Sequence, residues 1–288
     1  MRTEFKLRAK FRAFTDQAAT GIAVLSTILV VAPLIAIFIY LLVRGVSSLN
    51  LAFFTKVPVP VGETGGGMAN AIVGSAVLLG LASAIGIPIG IGAGIYLAEF
   101  GRGTRLAYAI RFTADVLNGV PSIVMGLAAF SLVVVPQNHF SAFAGGVALG
   151  IMMIPTICRS SEEMLLMVPH AVREAALGLG VPNWRSVLSI TVKTASPGII
   201  TGCMLAFARV AGETAPLLFT ALGNQFWSTS LNEPIAALPL QIYVYALSPY
   251  DDWHRLAWAG ALVLIVLIVL AVSLVRYVTS RGVLKGTS

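Results

Sequence analysis

The stretch VPHAVREAALGLGVPNWRSVLSITVKTAS, residues 168–196, is a polar interlude in a chain dominated by apolar runs. Ala171–Leu179 is built of helix formers. Gly180, Pro182 and Asn183 then supply a turn signal, and a second helical piece runs from Trp184 to about Val192. The interlude is too polar to cross a bilayer, yet an apolar segment long enough to do so lies on each side, roughly 142–167 and 197–223. It reads as a loop carrying a short helix along one membrane face.

Working outward, four more apolar segments appear, at about 20–43, 69–97, 107–135 and 256–278. At 1.5 Å per residue each suffices for about 30 Å of hydrocarbon. The composition agrees: 57% of the 288 residues are hydrophobic and 11% are charged, where a soluble domain carries about 25% charged residues. The runs are continuous rather than alternating, which excludes an outer-membrane barrel. The chain is an all-α membrane protein of six transmembrane helices forming one transmembrane domain, residues 1–288, and no cleavable signal sequence is expected. Pro88, among Gly86, Gly90, Gly92 and Gly94, predicts a kink or break in the second span. The run Gly90-Ile91-Gly92-Ala93-Gly94 lacks the strand–turn–helix setting of a nucleotide loop and reads as close helix packing.

The basic residues decide the orientation. Fifteen of nineteen fall on one side: Arg2, Lys6, Arg8, Lys10 and Arg12; Arg102, Arg105 and Arg111; Arg159, Arg173, Arg185 and Lys193; and Arg276, Arg281 and Lys285. Arg44, Lys56 and Arg255 lie on the other, and Arg209 stands as the one basic residue within the membrane. The positive-inside rule then predicts that both termini are cytoplasmic. The net charge of +7 is accounted for by topology and needs no nucleic acid. Cys158 and Cys203 lack metal spacing and read as buried thiols. The outer loop 224–255 carries Phe226, Trp227, Tyr243, Tyr245, Tyr250 and Trp253, rings expected to anchor at the interface, with a docking role open for some.

Within the interlude, Glu174-Ala175-Ala176, three residues, Gly180, nine residues and Ile190 resemble the coupling loop of binding-protein-dependent ABC importer permeases. The family pattern usually closes on Leu-Pro, where this chain has Val192-Lys193. Further stretches are similar to the phosphate permeases of that family: GGGMANAIVGS (65–75), GIYLAEFGRG (94–103), NGVPSIVMGL (118–127), ARVAGETAPLLFTALGNQFW (208–227) and ALSPYDDWH (246–254). The resemblance implies the type I ABC importer (MetI-like) fold, a five-helix core with an extra N-terminal span. It also implies uptake of inorganic phosphate by alternating access. The implied partners are a homologous permease subunit forming a heterodimer, two cytoplasmic ATPase subunits that use ATP and Mg, and an external phosphate-binding protein. Loop 168–196 would seat in the ATPase through Arg173, Glu174, Ala175, Ala176 and Gly180: the alanines permit close approach, Glu174 offers a charge-assisted contact and Gly180 permits the turn.

Span five holds two full charges. On a helical wheel Gly202, Arg209 and Pro216 share a face, with Gly198, Ala206, Gly212 and Glu213 within about 60° of it. An arginine at the bilayer centre costs roughly 3 kcal/mol, which an i, i+4 partner at Glu213 would offset in part. One reading is an ion pair that fixes helix packing. The other places Arg209 in an anion pathway, because its forked donors match a tetrahedral oxyanion, with Glu213 weakening capture so that the anion is released and Thr214 adding a hydroxyl. The resemblance favours the second reading, since the charges of an Arg-x-x-Gly-Glu-Thr motif are implicated in transport in the phosphate permeases. Asp115, Asn118 and Ser122 share a face of span three and are further candidates for lining the path.

The chain lacks a Walker-type loop and is expected not to be an enzyme by itself or to bind a cofactor or metal of its own. Its histidines, His139, His170 and His254, are scattered, which argues against an integral membrane enzyme. A stand-alone secondary transporter would show an internal repeat, and none is evident. Sulfate or molybdate remains the alternative cargo, because a guanidinium recognises any tetrahedral oxyanion.

Overall fold

The computed structural model describes residues 2–60, 63 and 65–284, with side-chain surroundings from residue 12 to residue 279. Of the basic residues used for orientation, Lys285 lies outside the described residues, as do the side chains of Arg2, Lys6, Arg8, Lys10 and Arg281.

The apolar runs fold as helices because lipid offers the backbone no other hydrogen-bonding partner. Helix α1 (Arg2–Val46) is followed by the short α2 (Leu51–Thr55), which Asn50 caps by accepting from the Phe53 N–H at 2.8 Å. Helix α3 (Ala69–Ile95) continues into a π-helical turn, Tyr96–Phe100. Span three is split: α4 (Arg105–Gly119), capped by Thr104, meets α5 (Ser122–Ala129) at an angle of 111°. A π turn at Phe130–Val134 and the one-turn α6 (Val135–Gln137) complete that half. Helix α7 (Ala142–Leu166) leads to α8 (His170–Gly178), then α9 (Asn183–Ser186), a third π turn at Val187–Thr191 and α10 (Val192–Ala211). After a break come α11 (Ala215–Thr220), α12 (Leu238–Ala246) and α13 (Asp251–Leu284). Among the described residues five helices are long and apolar enough to cross a membrane, and the bent α4–α5 pair makes a sixth if taken as one span.

Helix α7 is the central post. Two-thirds of its apolar window is buried, against none of that of α1. Gly86, Gly90 and Gly94 set α3 directly on α7: a methyl added at these positions would lie within 2.6–2.7 Å of Met153, Ile157 and Ser161 respectively. Gly92 faces open space, so the packing reading of this run holds for two of its three glycines. Of the kink or break expected at Pro88, the break does not occur; α3 passes through it as one helix. Gly198 and Gly202 set α10 against Met164 and Ser160 of the same post. Helix α1 packs on α13 through an edge-on Tyr40–Trp258 pair, with ring centroids 5.1 Å apart, and through Gly45 on Leu262.

At the end of the bundle away from α8, the connection after α11 folds back as a lid on α7. The N–H groups of Ser141, Ala142 and Phe143 donate to the carbonyls of Thr220, Glu233 and Leu231, satisfying donors that a helix start leaves unpaired. The aromatic residues of this region divide: Tyr245 is buried and stacked on Trp253 at 4.5 Å, whereas Phe226 and Trp227 are exposed.

Candidate functional site: two broken helices and an arginine network

Span five, read as one helix over 197–223, is two helices. Gly212 and Glu213 donate back three residues, to the Arg209 and Val210 carbonyls at 3.4 and 3.1 Å, and the α-helix ends. Pro216 lacks an N–H and has its φ preset for a first turn, so it starts α11 instead of bending α10. The wheel therefore holds only as far as Ala211. Along that length its small-residue face is real: Gly198, Gly202 and the buried Ala206 lie against the post.

Arg209 sits in the last turn of α10 and is exposed, while Glu213 and Thr214 lie half-buried in the break. The expected Arg209–Glu213 ion pair does not form, because the helix that would align them has already ended. Among the described residues the Arg209 guanidinium and the Glu213 carboxylate make no hydrogen bond or ion pair.

Asn118 and Ser122 were expected on one face of an unbroken span, together with Asp115. The break at Val120–Pro121 separates Ser122 from the other two, since the residue before a proline is driven to extended backbone. Asn118 accepts a hydrogen bond from Thr156 of α7 at 3.1 Å, and Asp115 pairs with Arg159 at 3.0 Å. The two breaks are joined by packing. A methyl at Gly126, one turn beyond Ser122, would lie 2.6 Å from the Pro216 Cα, so α5 and α11 run in backbone contact. Thr214 immediately precedes α11 and Ser122 begins α5, so each stands near this joint in the chain.

Sequence reasoning missed a second set of charges. Arg111 and Arg159, counted there only among the basic residues of one membrane side, stand inside α4 and α7. Arg209 is therefore not the one basic residue within a spanning helix. Both of these arginines converge on Glu162, whose side chain is 4% exposed: Arg111 Nε donates to Oε1 at 2.6 Å and Arg159 Nη1 to Oε2 at 2.9 Å. The signal available in the sequence was Arg159-x-x-Glu162, an i, i+3 pair in an apolar run. Its partners on α4 lie about fifty residues away and carried no such signal.

In the loop, α8 ends at a turn where Gly180 adopts φ 78°, a left-handed conformation that glycine takes at no steric cost. Glu174 and Ala175 are exposed, whereas Ala176 is buried against its own chain and is not free to meet a partner. Arg173 turns inward to Glu99 at 2.7 Å. With no proline at position 193, the exit passes through the Val187–Thr191 π turn straight into α10.

A family described as "binding-protein-dependent transport system inner membrane component" matches residues 86–282. The chain belongs to this family: it is a multi-pass inner-membrane permease component of ABC importers, not itself an ATPase. It is 49% identical over 238 residues to the phosphate transport system permease protein PstA of Yersinia pestis, covering 83% of this chain and 81% of that one. To the protein of the same name from Haemophilus influenzae it is 45% identical over 274 residues, covering 95% and 96%. Among solved structures, an inward-facing MetNI methionine ABC transporter superposes with a TM-score of 0.56 at 19% identity, covering 75% of this chain and 95% of that chain. That likeness establishes the MetI-like fold.

Proposed function

We propose that this chain is a permease subunit of an ATP-driven importer that moves inorganic phosphate into the cytoplasm by alternating access. Both termini and α8 face the cytoplasm, following the distribution of basic residues. The chain pairs with a homologous, PstC-like permease subunit, receives phosphate from a PstS-like external binding protein and is driven by two PstB-like ATPase subunits. Those subunits use the ATP and Mg, and this chain holds no cofactor. Helix α8 and the Gly180 turn seat in the ATPase, with Glu174 and Ala175 at the contact.

The observation that carries this reading is the exposed Arg209 at a helix break within a spanning region, without a hydrogen bond or ion pair among the described residues. A guanidinium so placed keeps its five donors for a passing oxyanion. Glu213 and Thr214, in the break beside it, set the field and add a hydroxyl. Asn118 and Ser122 line the other side. The path runs along the surface that this chain turns to its partner permease. A weak, transient site is what conduction requires, and an exposed arginine beside a carboxylate supplies one.

Phosphate is favoured over sulfate or molybdate by the likeness to phosphate transport system permease proteins, because the guanidinium itself does not discriminate among tetrahedral oxyanions. The test is uptake by vesicles carrying the reconstituted complex, with each anion offered in turn, with and without internal ATP. ATP-dependent phosphate uptake in preference to the other two is expected. Uptake by this chain alone on an ion gradient would overturn the reading.

A further inference from the structure

We infer that Arg173 and Glu99 form the link through which α8 moves the spanning helices, an inference that rests on the reading above in which α8 engages the ATPase. Among the described residues Arg173 is the one side chain of α8 that makes a hydrogen bond or an ion pair. Its guanidinium bolts three elements together. Nη2 donates to the Leu165 carbonyl at the end of α7 and to Glu99 Oε1, both at 2.7 Å, while Nη1 donates to the Val168 carbonyl at 3.0 Å. The pair is nearly dry, with side chains 12% and 8% exposed, and Arg173 Nε is buried with no partner. A buried ion pair with an unsatisfied donor is costly relative to apolar packing. That expense is unexplained by stability and is accounted for by a role in transmission.

Glu99 lies in the π turn Tyr96–Phe100, a local widening that frequently marks functional positions. The same turn is gripped from α4, where Arg111 Nη2 donates to the Leu97 carbonyl at 3.2 Å. Arg111 in turn holds Glu162, Glu162 holds Arg159, and Arg159 holds Asp115. Asp115 stands one turn before the Val120–Pro121 break. Charge-assisted bonds, joined through the backbone of the π turn between Leu97 and Glu99, therefore lead from α8 to the hinge between α4 and α5. Arg173 and Glu99 are positioning residues in this scheme; neither touches the anion.

The experiment uses the full complex in vesicles, with phosphate uptake and ATP hydrolysis measured on the same preparation. Glu99→Gln keeps an acceptor for Arg173 and removes the charge. Phosphate moved per ATP is expected to fall about tenfold while the ATPase subunits still co-purify and hydrolysis stays within about twofold. Arg173→Lys should act in the same direction, and Glu99→Asp, which keeps the charge, should restore most of the ratio. Unchanged uptake in Glu99→Gln would overturn the inference. So would a parallel fall of uptake, hydrolysis and co-purification, the mark of a structural prop. A wild-type complex with no ATP-dependent uptake would instead strike down the functional reading beneath it.

Discussion

Arg159 and Arg209 are both arginines inside spanning helices, yet the fold treats them in opposite ways. Arg159 is tied to a buried carboxylate on its own helix and to Asp115 on α4. Arg209 reaches the end of α10, where the helix stops, and its guanidinium makes no hydrogen bond or ion pair among the described residues. An arginine whose donors are consumed by carboxylates fixes the relative positions of helices. One whose donors are left open is matched to a ligand that arrives from outside. The comparison separates a structural charge from a working one, where composition alone would count the two together.

The comparison breaks most sharply at Arg209. Arg209→Gln is expected to cut phosphate uptake by about a hundredfold, since the charged, forked donors offered to the oxyanion are lost. Because its side chain makes no hydrogen bond or ion pair among the described residues, the amount of assembled complex should not change. Uptake assays beside a count of purified complex test both halves, and normal uptake would end its assignment to the pathway. Glu162→Ala should do the reverse. It strands Arg111 and Arg159 without their carboxylate, and with the arginines a third exposed to solvent the cost is about 2 kcal/mol of stability. A lowered melting temperature in detergent is the expected result, with uptake per assembled complex reduced far less than in Arg209→Gln. The smallest effect is expected from Asn118→Ala, which removes one hydrogen bond to Thr156 worth about 1 kcal/mol. A several-fold loss of uptake with unchanged stability would support Asn118 in the anion path, and a loss of stability alone would confine it to helix packing.

The prolines show how far the sequence was legible. Pro88, Pro155 and Pro197 all sit inside α-helices that run on through them. Pro121 and Pro216 each stand at the start of a new helix after a break. The residue is the same, and its missing N–H and fixed φ are the same. What differs is the surrounding packing. Around Pro88, Gly86 and Gly90 hold the helix against α7 on both sides of the proline. Gly126 and Pro216 instead hold two short helices against one another, a contact that needs both spans to be broken. Such partners lie about ninety residues apart, beyond the reach of any local pattern.

The sequence by itself determined the membrane class, the positions of the apolar segments, the short helix of the loop and the presence of a charged motif in span five. Each rests on a local property: run length against bilayer thickness, helix and turn propensity, and the cost of a charge in hydrocarbon. Only the tertiary structure decided which charges are paired. Glu162 gathers Arg111 and Arg159, Glu99 takes Arg173, and Arg209 pairs with none of the described residues. Ion pairing depends on distances of a few ångströms between residues far apart in the chain, and those distances exist only once helices have packed around α7.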